Sequence, residues 1–401
     1  MMKSIVKWAG AAALCASAWQ SAFATKVYDT GASDTEIKIG QTMPYSGPAS
    51  AYGVQGRVQL AYFKMVNEQG GINGRKVNLL SVDDGYSPPK TLEQARKLVE
   101  QDEVLAMIGN LGTPTNASVQ KYLNTKKIPH LLLAAGASRW NDPKQFRWTT
   151  PGFPSYAAES RIYARHALAT YPNAKIGVLF QNDDSGRDFA EAFKAGLGPK
   201  GSQVVKMLSY EVTDPTLDSQ VIELKAAGVD LMYTTGTPKA VAQAIRKIAE
   251  LSWKPVQYIT STASSLVTLE RAGYDNSKGV ICVQFMKAVG DPAWDNDAEM
   301  LAYLKFMKDR APELNATDAS SVFGYMTAVI TAHILRKSGD NLTRENLLKQ
   351  ATTMTNQPFP MLLPGITVTT KPDDYTTFDT LQLARFDGQR WVRFGEPLKA
   401  Q

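Results

Sequence analysis

Three pairs of adjacent acids, Asp83-Asp84, Asp183-Asp184 and Asp373-Asp374, are the residues whose types could share a catalytic proton. Neighbouring side chains on an extended segment point to opposite sides, so turn and cap roles are expected of these pairs instead. Ser87-Pro-Pro-Lys90 and Ser118-Val-Gln-Lys121 have Ser-x-x-Lys spacing but bring no companion hydrolase motif. His130, His166 and His333 stand singly, and the only cysteines are Cys15 and Cys282, which excludes a disulfide framework, a zinc ribbon and HExxH chemistry. GxSxG and Walker A are absent. The sequence therefore predicts no reaction, no cofactor and no metal.

What remains is hydrogen-bonding chemistry in loops. Met43 to Gly53, Gly109-Asn-Leu-Gly-Thr-Pro-Thr115, Ala134-Ala-Gly-Ala-Ser138, Gln181-Asn-Asp-Asp-Ser-Gly186, Thr234-Thr-Gly-Thr237 and Thr260-Ser-Thr-Ala-Ser264 are rich in Gly, Ser, Thr and Asn. Such loops suit a carboxylate or another polar group held by backbone N–H and hydroxyl donors. Tyr45, Tyr52, Trp140 and Trp148 could add stacking surface.

The elements that must position these loops alternate along the chain. Glu36 to Gly40 has period two and reads as a strand, and Val54 to Glu68 places Val54, Val58, Ala61, Tyr62, Met65 and Val66 on one helical face. Strands over 77–82, 104–108 and 128–134 interleave with helices over 89–101 and 115–126. The Pro-rich segment Trp148 to Pro154 breaks the pattern. A second series then runs to Thr260, with helices at 155–170, 186–196, 217–227 and 238–251 between strands at 175–180, 203–210, 229–234 and 256–260. Helices at 297–308 and 319–336 follow, then a strand pair over 377–386 and 390–394 turning at Asp387-Gly388. Repeated strand-helix units build parallel, doubly wound sheets, so the expected class is α/β with two such halves. Open sheets of this kind bind ligands beyond the C-terminal ends of their strands, which is where the six loops fall.

Composition agrees. The chain has 401 residues, 44% hydrophobic and 20% charged, which suits globular domains rather than disorder. Lys3 and Lys7 precede an apolar stretch from Trp8 to Trp19 that ends in Ala22-Phe23-Ala24, the pattern of a secretory leader cut after Ala24. Export to the periplasm follows as an expectation. The formal charge of +6 is spread without basic runs, so no nucleic acid partner is expected, and no later apolar run is long enough for membrane insertion. Cys282 lies in the apolar run Gly279 to Val283 and is expected in the core.

Taken in order, Ser46-Gly-Pro48, Tyr52-Gly53, Val66-Asn-Glu-Gln-Gly-Gly-Ile-Asn-Gly74, Asp83-Asp84, Ile108 to Thr115 and Pro129 to Ser138 resemble the periplasmic substrate-binding proteins of ABC transporters, in the branched-chain amino acid type. The resemblance covers nearly all of residues 35 to 395. It implies a monomeric clamp of two lobes: 35–148 plus 284–362, and 150–282 plus 363–398, with crossings at 148–151, 283–285 and 362–365. It also implies a small-molecule ligand and an ABC permease as partners. The ligand carboxylate would sit on the loop of Asn110, Leu111 and Thr113 and on the loop of Ala135, Gly136 and Ser138, covered by Tyr52. The second lobe would contribute Ser185, Thr237 and Thr262.

Two departures from the amino-acid pattern bear on specificity. Ser185 stands where such members have a tyrosine, and Ile259 to Ser265 holds no carboxylate to receive an ammonium. An unpaired buried ammonium costs several kcal/mol. The Gly-Asn-Leu-Gly-Thr-Pro-Thr pattern is similar to that of binders of aromatic and other organic acids. An aromatic carboxylate is thus the expected ligand, with amino acids or short amides such as urea as the alternative, and a ligand-sensing receptor as the other role.

Overall fold

Asp183, Ser155, Thr237, Asp297, Asp318 and Thr343 each stand just before a helix and accept a hydrogen bond from its first turn, so local chemistry fixes where these helices begin. The computed structural model describes residues 26–399; the expected leader and Cys15 lie outside the described residues.

The first series contains β1 (Val27–Tyr28), β2 (Glu36–Met43), α1 (Val54–Glu68), β3 (Lys76–Asp83), α2 (Pro88–Glu100), β4 (Ala106–Ile108), α3 (Thr113–Thr125), β5 (His130–Leu133) and β6 (Thr149–Pro151). The second contains α4 (Tyr156–Thr170), β7 (Ile176–Gln181), α5 (Asp184–Gly196), β8 (Val204–Tyr210), α6 (Asp218–Ala226), β9 (Leu231–Thr234), α7 (Pro238–Glu250) and β10 (Val256–Ile259). Then come α8 (Leu266–Ala272), α9 (Tyr274–Ser277), β11 (Ile281–Gln284), α10 (Ala298–Arg310), α11 (Ala319–Ser338), β12 (Asn341–Leu342), α12 (Arg344–Ala351), β13 (Thr380–Phe386), β14 (Trp391–Arg393) and β15 (Leu398–Lys399).

Two sheets result. One is parallel throughout, in the order β3-β2-β4-β5-β6. The other runs β14-β13-β11-β10-β9-β7-β8, parallel from β8 to β11 and antiparallel at β13 and β14. Both are wound on two faces, as strand alternation requires. Leu79 and Ile108 pack with α1 and α11, whereas their neighbours Leu80 and Met107 pack with α2 and α3. Likewise Val178 and Tyr233 face α4 and α5, while Leu179 and Met232 face α6 and α7. This is the expected α/β class.

Local differences have local causes. Helix α3 begins at Thr113 rather than Thr115, because Pro114 fits a first turn that needs no N–H from it. Strand β4 starts at Ala106 rather than Val104. Helices α8 and α12 are too short for periodicity to reveal, though Ser265 and Thr343 cap them. The C-terminal hairpin pairs Phe386 with Trp391 across its turn. Cys282 is buried in the core, as its apolar run predicted. Gly324, mid-helix in α11, permits the approach of α1: a Cβ there would meet the Gln55 carbonyl oxygen at 2.7 Å.

Candidate functional site

The loops that leave the C-terminal ends of β2, β3 and β4 face those that leave β7, β9 and β10, and a cavity of about 1150 Å³, counting its open mouth, lies between them. Tyr52, Tyr86, Phe153, Tyr156, Phe189, Phe285 and Phe323 supply its aromatic lining, with Phe153 packed edge-on against Tyr156, Phe285 and Phe323. Tyr156 and Phe189 stack with ring centroids 4.0 Å apart and an interplanar angle of 21°. Gln55, Thr113, Gln181, Ser185, Thr237, Ser261 and Thr262 supply its polar surface.

No Asp or Glu is among the lining residues. Lys287 is the charged one, and its charge is already matched: Nζ lies 2.7 Å from Asp297 Oδ2 and 2.8 Å from Glu299 Oε2. The helix ends matter more. Helices α5, α7 and α11 point their N-termini at the cavity, each capped by its own Asp183, Thr237 or Asp318. Helix α3 differs. Gly112 precedes it with φ +96° and no side-chain cap, so the first-turn N–H groups have no side-chain acceptor. The Thr113 hydroxyl beside them is buried and makes no hydrogen bond; the Tyr156 hydroxyl approaches without reaching hydrogen-bond geometry. Gln55 Oε1 is buried and unpartnered as well. An uncapped helix N-terminus beside an unsatisfied hydroxyl is a receptor for an anionic oxygen.

The two sides already touch. Burial pushes the Tyr52 phenol well up, and the Thr262 side chain opposite only partly offsets this. Tyr86 stands in the same relation to Gln181. At the rim, Arg139 Nη1 lies 2.6 Å from Asp184 Oδ2. This pair is largely exposed, and exposed pairs contribute about 0.2–1 kcal/mol. Arg139→Ala is accordingly expected to weaken ligand affinity only two- to fivefold, about that energy, in an isothermal titration.

Of the sequence-predicted residues, Tyr52, Leu111, Thr113, Ser185, Thr237 and Thr262 come together on the cavity. Asn110 lies behind it, buried with both side-chain polar atoms unpartnered. Ala135, Gly136 and Ser138 do not line it. Tyr156 and Pro154 cover Gly136, and the Ser138 N–H donates to Asp188 Oδ2 at 3.0 Å, so this loop holds a carboxylate of the protein itself. Trp140 and Trp148 are core residues, and Tyr45 bonds Ser81. The acid pairs are structural: Asp83 gathers the N–H groups of Tyr45, Ser46 and Gly85, Asp84 bonds Thr91, and Asp374 bonds Asn141.

Sequence reasoning missed Gln55, Tyr86, Phe153, Tyr156, Gln181, Phe189 and Ser261. Tyr86 follows a Gly at a strand end and adopts φ +59°, which turns its ring onto Gly112; that Asp-Gly-Tyr turn was the available signal. The largest omission is Glu159. The 259–265 run lacks a carboxylate, but Glu159 on α4 reaches it from behind, with Oε1 accepting the Ser261 N–H at 2.9 Å and Oε2 accepting the Ser261 hydroxyl. It is fully buried, and burial raises its pKa to about 7 against the pull of Ser261.

The family model described as periplasmic binding protein matches residues 36–390. The chain belongs to that family. Its members bind solutes and are not enzymes. This periplasmic binding protein is 24% identical over 319 residues to the Leu/Ile/Val-binding protein homolog 1 of Brucella abortus, covering 79% of this chain and 82% of that one. Among solved structures it resembles a branched chain amino acid ABC transporter protein of Thermus thermophilus with bound valine, with TM-score 0.82 and 16% identity over 91% of this chain and 97% of that chain. It also resembles a solute binding protein of Rhodopseudomonas palustris BisB5 in complex with 3,4-dihydroxy benzoic acid, with TM-score 0.76 and 20% identity over 92% and 98%. At these identities the structural likeness establishes the type I binding-protein fold. No helix among the described residues is long and apolar enough to cross a membrane.

Proposed function

We propose that this binding protein captures a small aromatic carboxylate between its two sheets and delivers it to the permease of an ABC importer, from the periplasm after removal of residues 1–24. One observation carries the reading: an uncapped helix N-terminus with the unsatisfied Thr113 hydroxyl stands at one end of an aromatic-walled cavity that no acid lines. The carboxylate belongs on α3 and the ring between Tyr52 and the Tyr156-Phe189 stack. The lobes would be 35–148 plus 284–362 and 150–282 plus 363–398. The antiparallel neighbours Met286 and Leu362 are in keeping with two of the crossings. The ligand acts by favouring the closed arrangement through differential affinity.

A second reading, an α-amino acid, is favoured by Glu159, a carboxyl group one layer behind the cavity residue Ser261. A thermal-shift panel of benzoates, dicarboxylates, leucine, valine and short amides separates the two. At equal concentration, a ligand that binds only the folded state raises the melting temperature more the tighter it binds. A hydroxybenzoate is expected to give the largest shift; leucine or valine in first place would overturn the aromatic reading.

A further inference from the structure

Ser261 lines the cavity, yet both of its donors point away from it. Its N–H and its hydroxyl proton go to Glu159, and Ser264 donates to its carbonyl at 2.8 Å. A carboxylate can only accept, so an ionised Glu159 obliges the Ser261 hydroxyl to turn its proton backward and its lone pairs toward the ligand. Thr262 repeats the pattern, donating to Thr260 Oγ1 at 3.0 Å. The part of the cavity lined by Ser261 and Thr262 therefore presents acceptors.

We propose that Glu159 is the orienting charge of the site: by holding Ser261 from behind, it reserves that part of the cavity for an uncharged hydrogen-bond donor on the ligand and rejects an acceptor or a second negative charge there. The inference rests on the carboxylate reading above. The ligand class it names is an aromatic monocarboxylate with a phenol or amide donor at its far end.

The surroundings of Glu159 keep it a switch. The titratable groups around it are Tyr156 and Tyr163 on its own helix, Tyr233 on β9 and Cys282 on β11, all neutral, with burial raising each. No Lys, Arg or His is among its partners in the described residues. A protonated Glu159 can donate to Ser261 Oγ, which frees the serine proton to point at the ligand and converts the acceptor into a donor. Glu159→Gln makes the same reversal permanent, because its amide nitrogen donates to Ser261 Oγ while its oxygen still accepts the Ser261 N–H.

The test is titration calorimetry of the wild type and Glu159→Gln at pH 8 with 4-hydroxybenzoate, 4-methoxybenzoate and terephthalate. The wild type is expected to prefer 4-hydroxybenzoate at least tenfold over the other two, and Glu159→Gln to narrow this preference to threefold or less. At pH 6 the wild type should move toward the variant. Unchanged discrimination in a folded Glu159→Gln overturns the proposal. Leucine binding that Glu159→Gln weakens overturns the aromatic reading and keeps Glu159 as the orienting charge. Difference infrared spectra of the two ligand-free proteins decide independently of any ligand. A protonated carboxyl band that disappears between pH 6 and pH 8.5 is expected, and a band that persists at pH 8.5 overturns the proposal.

Discussion

Gly112→Ala is expected to lower affinity for an aromatic carboxylate at least about a hundredfold and to destabilise the free protein by about 2 kcal/mol. Gly112 sits at φ +96°, a conformation that L side chains rarely adopt. A Cβ there would meet Tyr86 Cε2 at 2.4 Å and Thr115 Oγ1 at 2.7 Å. The alanine must therefore displace both the ring that walls the cavity and the first turn of α3, and the carboxylate loses its N–H donors and its neighbouring surface together. Thr113→Val is the informative companion, because it removes only the hydroxyl. That hydroxyl is buried without a partner in the free protein, so its loss leaves stability unchanged or improves it by up to about 1 kcal/mol. Affinity still falls about tenfold, the effect of one hydrogen bond to a charged group. Denaturant melts and titration calorimetry on both variants check this. A Thr113→Val protein that loses stability but keeps its affinity would make the threonine a structural residue and would move the carboxylate site elsewhere.

The second large effect is a pH dependence of stability. Burial lifts the folded-state pKa of Glu159 to about 7, from about 4.5 in the unfolded chain. Between those values the native state holds a proton that the unfolded chain has released, so stability is full below about pH 4.5 and declines as pH rises through 7. The loss approaches about 3 kcal/mol, the pKa difference converted at about 1.4 kcal/mol per unit. The buried His130 and the half-buried His166 act in the opposite sense. Burial lowers His130 to about 3 and lowers His166 too, so their neutral forms make stability rise with pH up to the ordinary histidine range. Glu159→Gln isolates the carboxyl: the variant should match the wild type at pH 5 and exceed it by about 2–3 kcal/mol at pH 8.5. Equal pH profiles in urea unfolding would show that Glu159 titrates normally.

The two doubly wound halves were legible in the chain because Leu79 and Leu80, or Val178 and Leu179, belong to strands buried on both faces, which read as continuous apolar runs between helical stretches. The loops at the strand ends were legible for the same reason, and with them Tyr52, Leu111, Thr113, Ser185, Thr237 and Thr262. The loop of Ala135 to Ser138 looked identical in chemistry to that of Gly112 and Thr113, and only the packing of Tyr156 over Gly136 separates them. That contact joins the first series to the start of α4 and leaves no mark in either segment. Glu159 was hidden in another way. It stands about a hundred residues before Ser261 in a helix of ordinary composition, and an acid that acts through a serine on another strand-to-helix loop has no spacing to betray it.

The central claim is that the ligand's carboxylate rests on the start of α3. A crystal structure of the protein soaked with 4-hydroxybenzoate tests it most directly. The carboxylate is expected about 3 Å from the Thr113 N–H and hydroxyl, with the phenol oxygen facing Ser261. A carboxylate seated at Ser261 and Thr262, with α3 left empty, would contradict it.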